Sequence, residues 1–191
     1  MVCNTAVGVG ANHGWIVTLA SQASAKSTAT VSYTPPAITS LVKTGGAGTL
    51  TTAGTDTVDI GGTNFGPTCS GCITATYGGS GGTDYPTTGT ITCDVVTAHT
   101  KMVCNTVAGV GASHGWIVTL ASQASAKSTA TVSYTPPTVT SVTKTGGAGT
   151  LATAGTDTVT VIGTSFGPVC NTGCVTATYG SNSEGTNYPT S

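Results

Sequence analysis

Seven cysteines, three histidines and six acidic residues carry most of the chemistry open to this 191-residue chain. Cys69-Ser-Gly-Cys72 and Cys170-Asn-Thr-Gly-Cys174 are short-loop pairs, Cys93 and Cys104 flank a turn, and Cys3 stands apart. A Cys-x-x-Cys pair does redox chemistry where a helix N-terminus lowers its thiol pKa. Here a Gly-Pro loop leads into a strand pattern instead. Zinc wants two close pairs. The second pair here is split by ten residues, and the first changes spacing between its two occurrences. Structural disulfides are therefore expected at Cys69–Cys72, Cys93–Cys104 and Cys170–Cys174, which implies an oxidising, extracellular setting. Each closes a short loop and contributes about 2–3 kcal/mol, less any strain.

His13 and His114 are each followed by Gly-Trp. A catalytic imidazole needs a nucleophile and an orienting acid. Hydroxyls are plentiful but acids are few, so each His is expected to pack on its neighbouring Trp15 or Trp116. Asp56 and Asp157 lie in Gly-Thr-Asp-Thr turns with no further acids clustered for calcium, and turn carboxylates bond nearby backbone. Gly45-Gly46-Ala47-Gly48 lacks the lysine and helix of a phosphate loop and reads as a turn. Neither catalysis, metal nor cofactor is expected.

The elements that position these residues are repeated. Residues 1–36 and 102–137 are nearly identical, and the period of 101 continues from 44–67 to 145–168. It slips by one at the cysteine loop. About 100 residues is the size of one sandwich domain and too long for a solenoid unit. Pro35-Pro36 and Pro136-Pro137 are stiff, extended linkers. The organisation expected is a carboxyl-terminal part of a repeat (1–35), a complete repeat (36–136) and the amino-terminal part of a third (137–191). Gly89–Lys101 then has no counterpart at either end. Cys3 matches Cys104, so its partner is either outside the chain segment or in another chain.

Within the repeat, apolar Ile73, Ala75 and Tyr77 alternate with Cys72, Thr74 and Thr76. The same period of two runs through Trp15–Leu19, Thr28–Tyr33 and Ile91–Val95. Alternation with β-branched residues, punctuated by Gly, Pro, Asn and Asp, predicts half-buried antiparallel strands. No stretch of helical period exceeds two turns. The fold class expected is all-β, in tandem immunoglobulin-like β-sandwiches.

Three stretches resemble the IPT/TIG-type immunoglobulin-like domains. The first is Pro36-Ala37-Ile38-Thr39-Ser40-Leu41, followed by a Gly/Thr-rich stretch and Thr57-Val58-Asp59-Ile60-Gly61-Gly62-Thr63-Asn64-Phe65-Gly66. The others are Thr90-Ile91-Thr92-Cys93 with Met102-Val103-Cys104-Asn105-Thr106, and the closing Ser32-Tyr33-Thr34-Pro35-Pro36. The resemblance spans the whole repeat. It implies TIG-type sandwiches of the kind found in tandem in large extracellular proteins. The DNA-binding branch of that family uses basic loops, which this chain lacks.

Charged residues make up 6% of the chain, against roughly 25% in ordinary domains, and the net charge is −1. Nucleic-acid binding, polybasic membrane attachment and a membrane span are not expected. Thr and Ser stand where charge is usually found. O-linked glycan is expected on outward hydroxyls and modified prolines, with Thr28, Thr30, Ser32, Thr34, Pro35, Pro36, Thr74, Thr76, Thr135, Pro136 and Pro137 as candidates. No Asn-x-Ser/Thr sequon is present.

The function expected is a building block of an extracellular fibre or surface appendage, partnered by copies of itself and by covalent glycan. An adhesin-like module for carbohydrate or ice is the alternative, and a receptor ectodomain a third reading. Thiol titration of the unreduced chain is expected to find one thiol, Cys3. Four or more would overturn the disulfide assignment.

Overall fold

A computed structural model describes residues 1–79, 84–169, 175–180 and 187–189. The described residues are all-β, with no helix among them. The chain divides at Thr135–Pro136 into two compact units.

The first unit opens with four two-residue strands, β1 (His13–Gly14), β2 (Thr18–Leu19), β3 (Gln22–Ala23) and β4 (Thr30–Val31). The eight strands that follow belong to the complete repeat: β5 (Ala37–Lys43), β6 (Thr57–Thr63), β7 (Cys69–Gly78), β8 (Asp84–Tyr85), β9 (Ile91–Thr97), β10 (Lys101–Asn105), β11 (Gly115–Leu120) and β12 (Gln123–Ala124). They form one antiparallel sheet in the order β12-β11-β7-β9-β10-β6-β5, with β8 on β7. Leu50, in the loop after β5, makes a parallel bridge to Tyr134. That contact ties the start of the repeat to its end, and one core lies between.

The alternation read from the sequence sets the core. On β7, Ile73, Ala75 and Tyr77 are buried while Cys72, Thr74 and Thr76 are exposed. On β9, Ile91, Cys93 and Val95 are buried and Thr92 and Asp94 exposed. On β11, Trp116, Val118 and Leu120 point in. Leu50, Val58, Ile60, Phe65 and Met102 complete the centre with no exposure. Cys93 and Cys104 face each other on β9 and β10 and are disulfide-bonded across 4.2 Å between Cα atoms. Cys69 and Cys72 are bonded at the start of β7. Cys170 and Cys174 lie outside the described residues, and Cys3 is a free, exposed thiol.

The strand expected over Thr28–Tyr33 is shorter than its pattern. Only Thr30–Val31 pairs, and in the later copy Val132 and Tyr134 make single bridges to His114 and Leu50. The inward and outward sides still alternate there, because Val132 and Tyr134 are buried while Thr131 is exposed. The strand expected over Trp15–Leu19 is likewise broken in the first copy, although its twin β11 is continuous. Strand β11 has β7 alongside to ladder with. The first copy has no such neighbour in this unit.

The second unit carries β13 (Thr138–Lys144) and β14 (Val159–Thr164), then β15 (Thr178–Gly180) and β16 (Asn187–Pro189). Thr138 opposes Thr164 and Lys144 opposes Val159, with a bulge after Val139. This reproduces the β5–β6 register, in which Ala37 opposes Thr63, Lys43 opposes Val58 and the bulge follows Ile38.

Gly54 is a position where glycine is required. Its φ of +71° is left-handed, and a Cβ there would run into the backbone of Val107 and Ala108. Gly54→Ala is expected to cost the complete repeat about 2–4 kcal/mol in denaturant unfolding. An unchanged midpoint would refute the close approach.

Candidate functional site

The polar chemistry inside the repeat gathers around five rings. Trp116 on β11 stacks on Tyr77 of β7, its register partner, with centroids 4.4 Å apart. Tyr85, His114 and Tyr134 close around them, and His114 meets Tyr77, Tyr85 and Tyr134 edge-on at 5.5–5.9 Å. The ring partners recorded for His114 are thus tyrosines rather than the expected Trp116. Such edge-to-face pairs add to area burial because the positive ring edge meets a negative face.

A closed hydrogen-bond circuit runs through this cluster. The Val107 N–H donates to the Tyr77 hydroxyl (3.1 Å), and the Tyr134 hydroxyl donates to the Val107 carbonyl (2.6 Å). Tyr77 then donates to Tyr134 across 2.6 Å. Beside it, the Tyr85 hydroxyl accepts from Val110 N–H and His114 Nε2 lies 3.1 Å from the Val110 carbonyl. Nδ1 of His114 and Nε1 of Trp116 are buried without a hydrogen-bond partner among the described residues. Among the described residues, neither ring nitrogen of His114 is hydrogen-bonded to a carboxylate. The circuit locks Val107–Val110 to β7, which is a structural role.

Several of the charges brace turns, and one pair joins adjacent strands. Asp56 accepts from the Thr51 backbone N–H and pairs with Lys43 at 3.0 Å, closing the loop between β5 and β6. The backbone donor foremost, then Lys43, holds its carboxyl below the usual range against the opposing effect of burial. Asp157 repeats this with Ala152 and Lys144. Asp59 is lowered chiefly by Lys101, 2.8 Å away, and by the Thr44 hydroxyl. The Gly45–Gly48 stretch is a turn closed by Gly46 N–H on the Lys43 carbonyl. The described residues hold no group of three or more His, Cys, Asp or Glu side chains placed to bind a metal. Among the described residues, no helix is long and apolar enough to cross a membrane.

The candidate modification residues fall into three groups. Thr28, Thr30, Thr34, Thr74, Thr76, Pro35, Pro136 and Pro137 are exposed. Ser32 is exposed but its Oγ accepts from Asn12 N–H, and half-buried Thr135 donates to the Leu50 carbonyl. Pro36 is buried. Across the outer face, register aligns Thr92 on β9, Thr74 on β7 and Thr119 on β11 in one row.

A further polar seam, invisible in the sequence, lies where residues 1–35 meet the complete repeat. Gln123 Nε2 donates to the Tyr33 carbonyl (3.0 Å) and Asn64 Nδ2 to the Pro35 carbonyl (3.1 Å). Val9 packs on the core of the repeat beside Gly66, where φ is +77°. A cleft of about 210 Å³ at this seam is lined by residues including Val7, Tyr33, Asn64 and His99. No protein family, curated protein or solved structure matches the chain.

Burial raises the pKa of both Tyr77 and Tyr134, and for Tyr134 the bond to Tyr77 adds to the rise. The folded state therefore keeps protons that the unfolded chain releases near pH 10. That stability is fully present below about pH 10 and is lost as pH rises toward the folded values. Absorbance titration at alkaline pH is expected to show two tyrosines ionising only as the repeat unfolds. Early, reversible ionisation of every tyrosine would contradict the circuit.

Proposed function

We propose that this chain is a stretch of tandem immunoglobulin-like, TIG-type β-sandwich repeats that builds an extracellular fibre or surface appendage. O-linked sugar covers its outward hydroxyls. The observation that carries this reading is the seam at Tyr33–Pro35. A tandem array transmits shape only when one repeat grips the next. Here a linker carbonyl on each side of Thr34 is held by a side chain of the following repeat, and an apolar residue is seated under Gly66. The Pro35-Pro36 pair limits the backbone at that point. The linker residues recur with the period, since Tyr134 and Pro136 match Tyr33 and Pro35, while Ser165 stands where Asn64 does. The two disulfides support an oxidising, extracellular location.

The complete repeat acts as a stiff bead cross-linked at Cys93–Cys104, and the seam sets bead-to-bead geometry. The exposed hydroxyls of Thr28, Thr30, Thr34, Thr74 and Thr76 are the attachment points for glycan. Exposed Pro35, Pro136 and Pro137 extend that set. Sugar there supplies the hydration that charge does not.

The Thr92–Thr74–Thr119 row favours a second reading, an adhesin-like surface for carbohydrate or ice. It requires a ligand whose binding is lost with Thr74→Lys while the fold is kept.

Electron microscopy of native material is expected to show fibres with a repeat of one bead, and intact mass to exceed that of the polypeptide in hexose or pentose steps. Dispersed monomers would overturn the fibre, and a bare polypeptide mass would overturn the glycan.

A further inference from the structure

The Cys69–Cys72 and Cys93–Cys104 disulfides stand in opposite surroundings. Cys93 and Cys104 are each 1% exposed and join paired residues of β9 and β10. Cys69 and Cys72 are three positions apart at the start of β7, where Ser70, Gly71 and Cys72 are exposed. Cys69 is half-buried and packs against the core. Thiol–disulfide exchange begins when a thiolate reaches a disulfide sulfur, so access decides which bond reacts. A thiol reaches Cys93–Cys104 only when the core opens, and packed core strands open least often.

The exposed loop is shaped by more than its disulfide. Between Cys69, opposite Val95, and Ile73, opposite Cys93, β7 advances four residues while β9 advances two. The excess loops out as a bulge, with Gly71 in the left-handed region at φ +63°. Asp94 on β9 clasps it from the facing strand. Its Oδ1 accepts from the Ser70 hydroxyl (3.0 Å) and from the Gly71 N–H (2.7 Å). Neither bond involves a sulfur. Asp94 also sets the local charge. A carboxylate is bonded inside this loop, whereas reactive Cys-x-x-Cys pairs of oxidoreductases lie beside a cation or a helix N-terminus.

We infer that Cys69–Cys72 is a covalent attachment site for small thiols that are uncharged or cationic near the sulfur. The attacking thiolate bonds to Cys72 Sγ, the exposed sulfur, and the Cys69–Cys72 bond breaks. Cys69 leaves with the electron pair and takes up a proton from water. The chain then carries the partner as a mixed disulfide on Cys72 and a thiol on Cys69. Return attack by Cys69 on Cys72 expels the partner as a thiol and restores the original bond, so the cycle consumes no oxidant or reductant. The Asp94 clasp keeps the bulge in shape while the bond is open, and Cys72 stays at the surface. An anionic thiol is repelled by Asp94 and a cationic one attracted. The bias is moderate, because Asp94 is exposed and screened. The site lies within the complete repeat and rests on neither the fibre nor the glycan reading.

The test uses the full, unreduced chain with Cys3 first blocked by iodoacetamide. Cysteamine or 2-mercaptoethanesulfonate is added in excess, samples are quenched with N-ethylmaleimide, and fragment masses assign each cysteine. The fragments distinguish Cys69-Ser70-Gly71-Cys72 from Cys170-Asn171-Thr172-Gly173-Cys174. Cysteamine is expected on Cys72 and maleimide on Cys69, about a hundredfold faster than any label at Cys93 or Cys104. The near-ultraviolet signal of buried Trp116 is expected to hold throughout. Asp94→Asn keeps an acceptor oxygen for Ser70 and Gly71 but removes the charge. The ratio of the cysteamine rate to the mercaptoethanesulfonate rate is expected to fall about fivefold with it, and to fall in the unaltered chain as salt is raised. An adduct on Cys69 in place of Cys72 would overturn the site. So would labelling of Cys93 and Cys104 at the same rate, loss of the Trp116 signal as the loop opens, or a rate ratio that neither salt nor Asp94→Asn moves.

Discussion

Everything in the complete repeat depends on β11 lying against β7. That single antiparallel ladder puts Trp116 on Tyr77, Val118 beside Ala75 and Leu120 beside Ile73. It joins the last third of the repeat to its amino-terminal part, which are far apart in sequence. The Tyr77–Tyr134–Val107 circuit then fixes one end of the same ladder with buried, mutually satisfied hydroxyls. A buried polar network of this kind contributes when every member is bonded and costs several kcal/mol when one is not. The circuit thus specifies one register out of those that a Thr-rich, alternating sheet would otherwise tolerate.

The chain contains its own comparison for separating local from tertiary causes. Nearly the same 36 residues occur twice, once covered and once open. Serine-to-backbone bonds, the two-residue turn after Leu19 or Leu120, and the tyrosine anchor are the same in both. These features follow from nearby sequence. A continuous strand and a dry apolar side exist only where β7 is present. Strand continuity in this fold is a tertiary property, in line with the context dependence of β-propensity.

This division explains what could be read in the sequence. The all-β class, the inward residues of β7, β9 and β11, the Cys69–Cys72 and Cys93–Cys104 pairs and the backbone-bonding role of Asp56 all rest on short-range spacing. Spacing survives in a one-dimensional reading. The burial of Pro36, the tyrosine ring around His114 and the grip of Gln123 on the Tyr33 carbonyl join residues distant in sequence. Short-range spacing carries no trace of them. A signal for the cluster did exist: Tyr77, Tyr85 and Tyr134 are three of only six tyrosines, in a chain with few aromatics to spend.

The scarcity of charge also takes on a different meaning in three dimensions. Lys43 and Lys144 brace turns through Asp56 and Asp157, and Lys101 pairs Asp59 across adjacent strands. The stems of Lys26 and Lys127 lie over Gly14 and Gly115. Asp94 accepts from Ser70 and Gly71 at the cysteine loop. Most of the few ionic groups are thus committed to local structure, and little is left to generate a repulsive surface field. Repulsion between like-charged molecules is what ordinarily keeps compact β-proteins apart in solution. With most of the charges engaged in local structure, that repulsion is weak here.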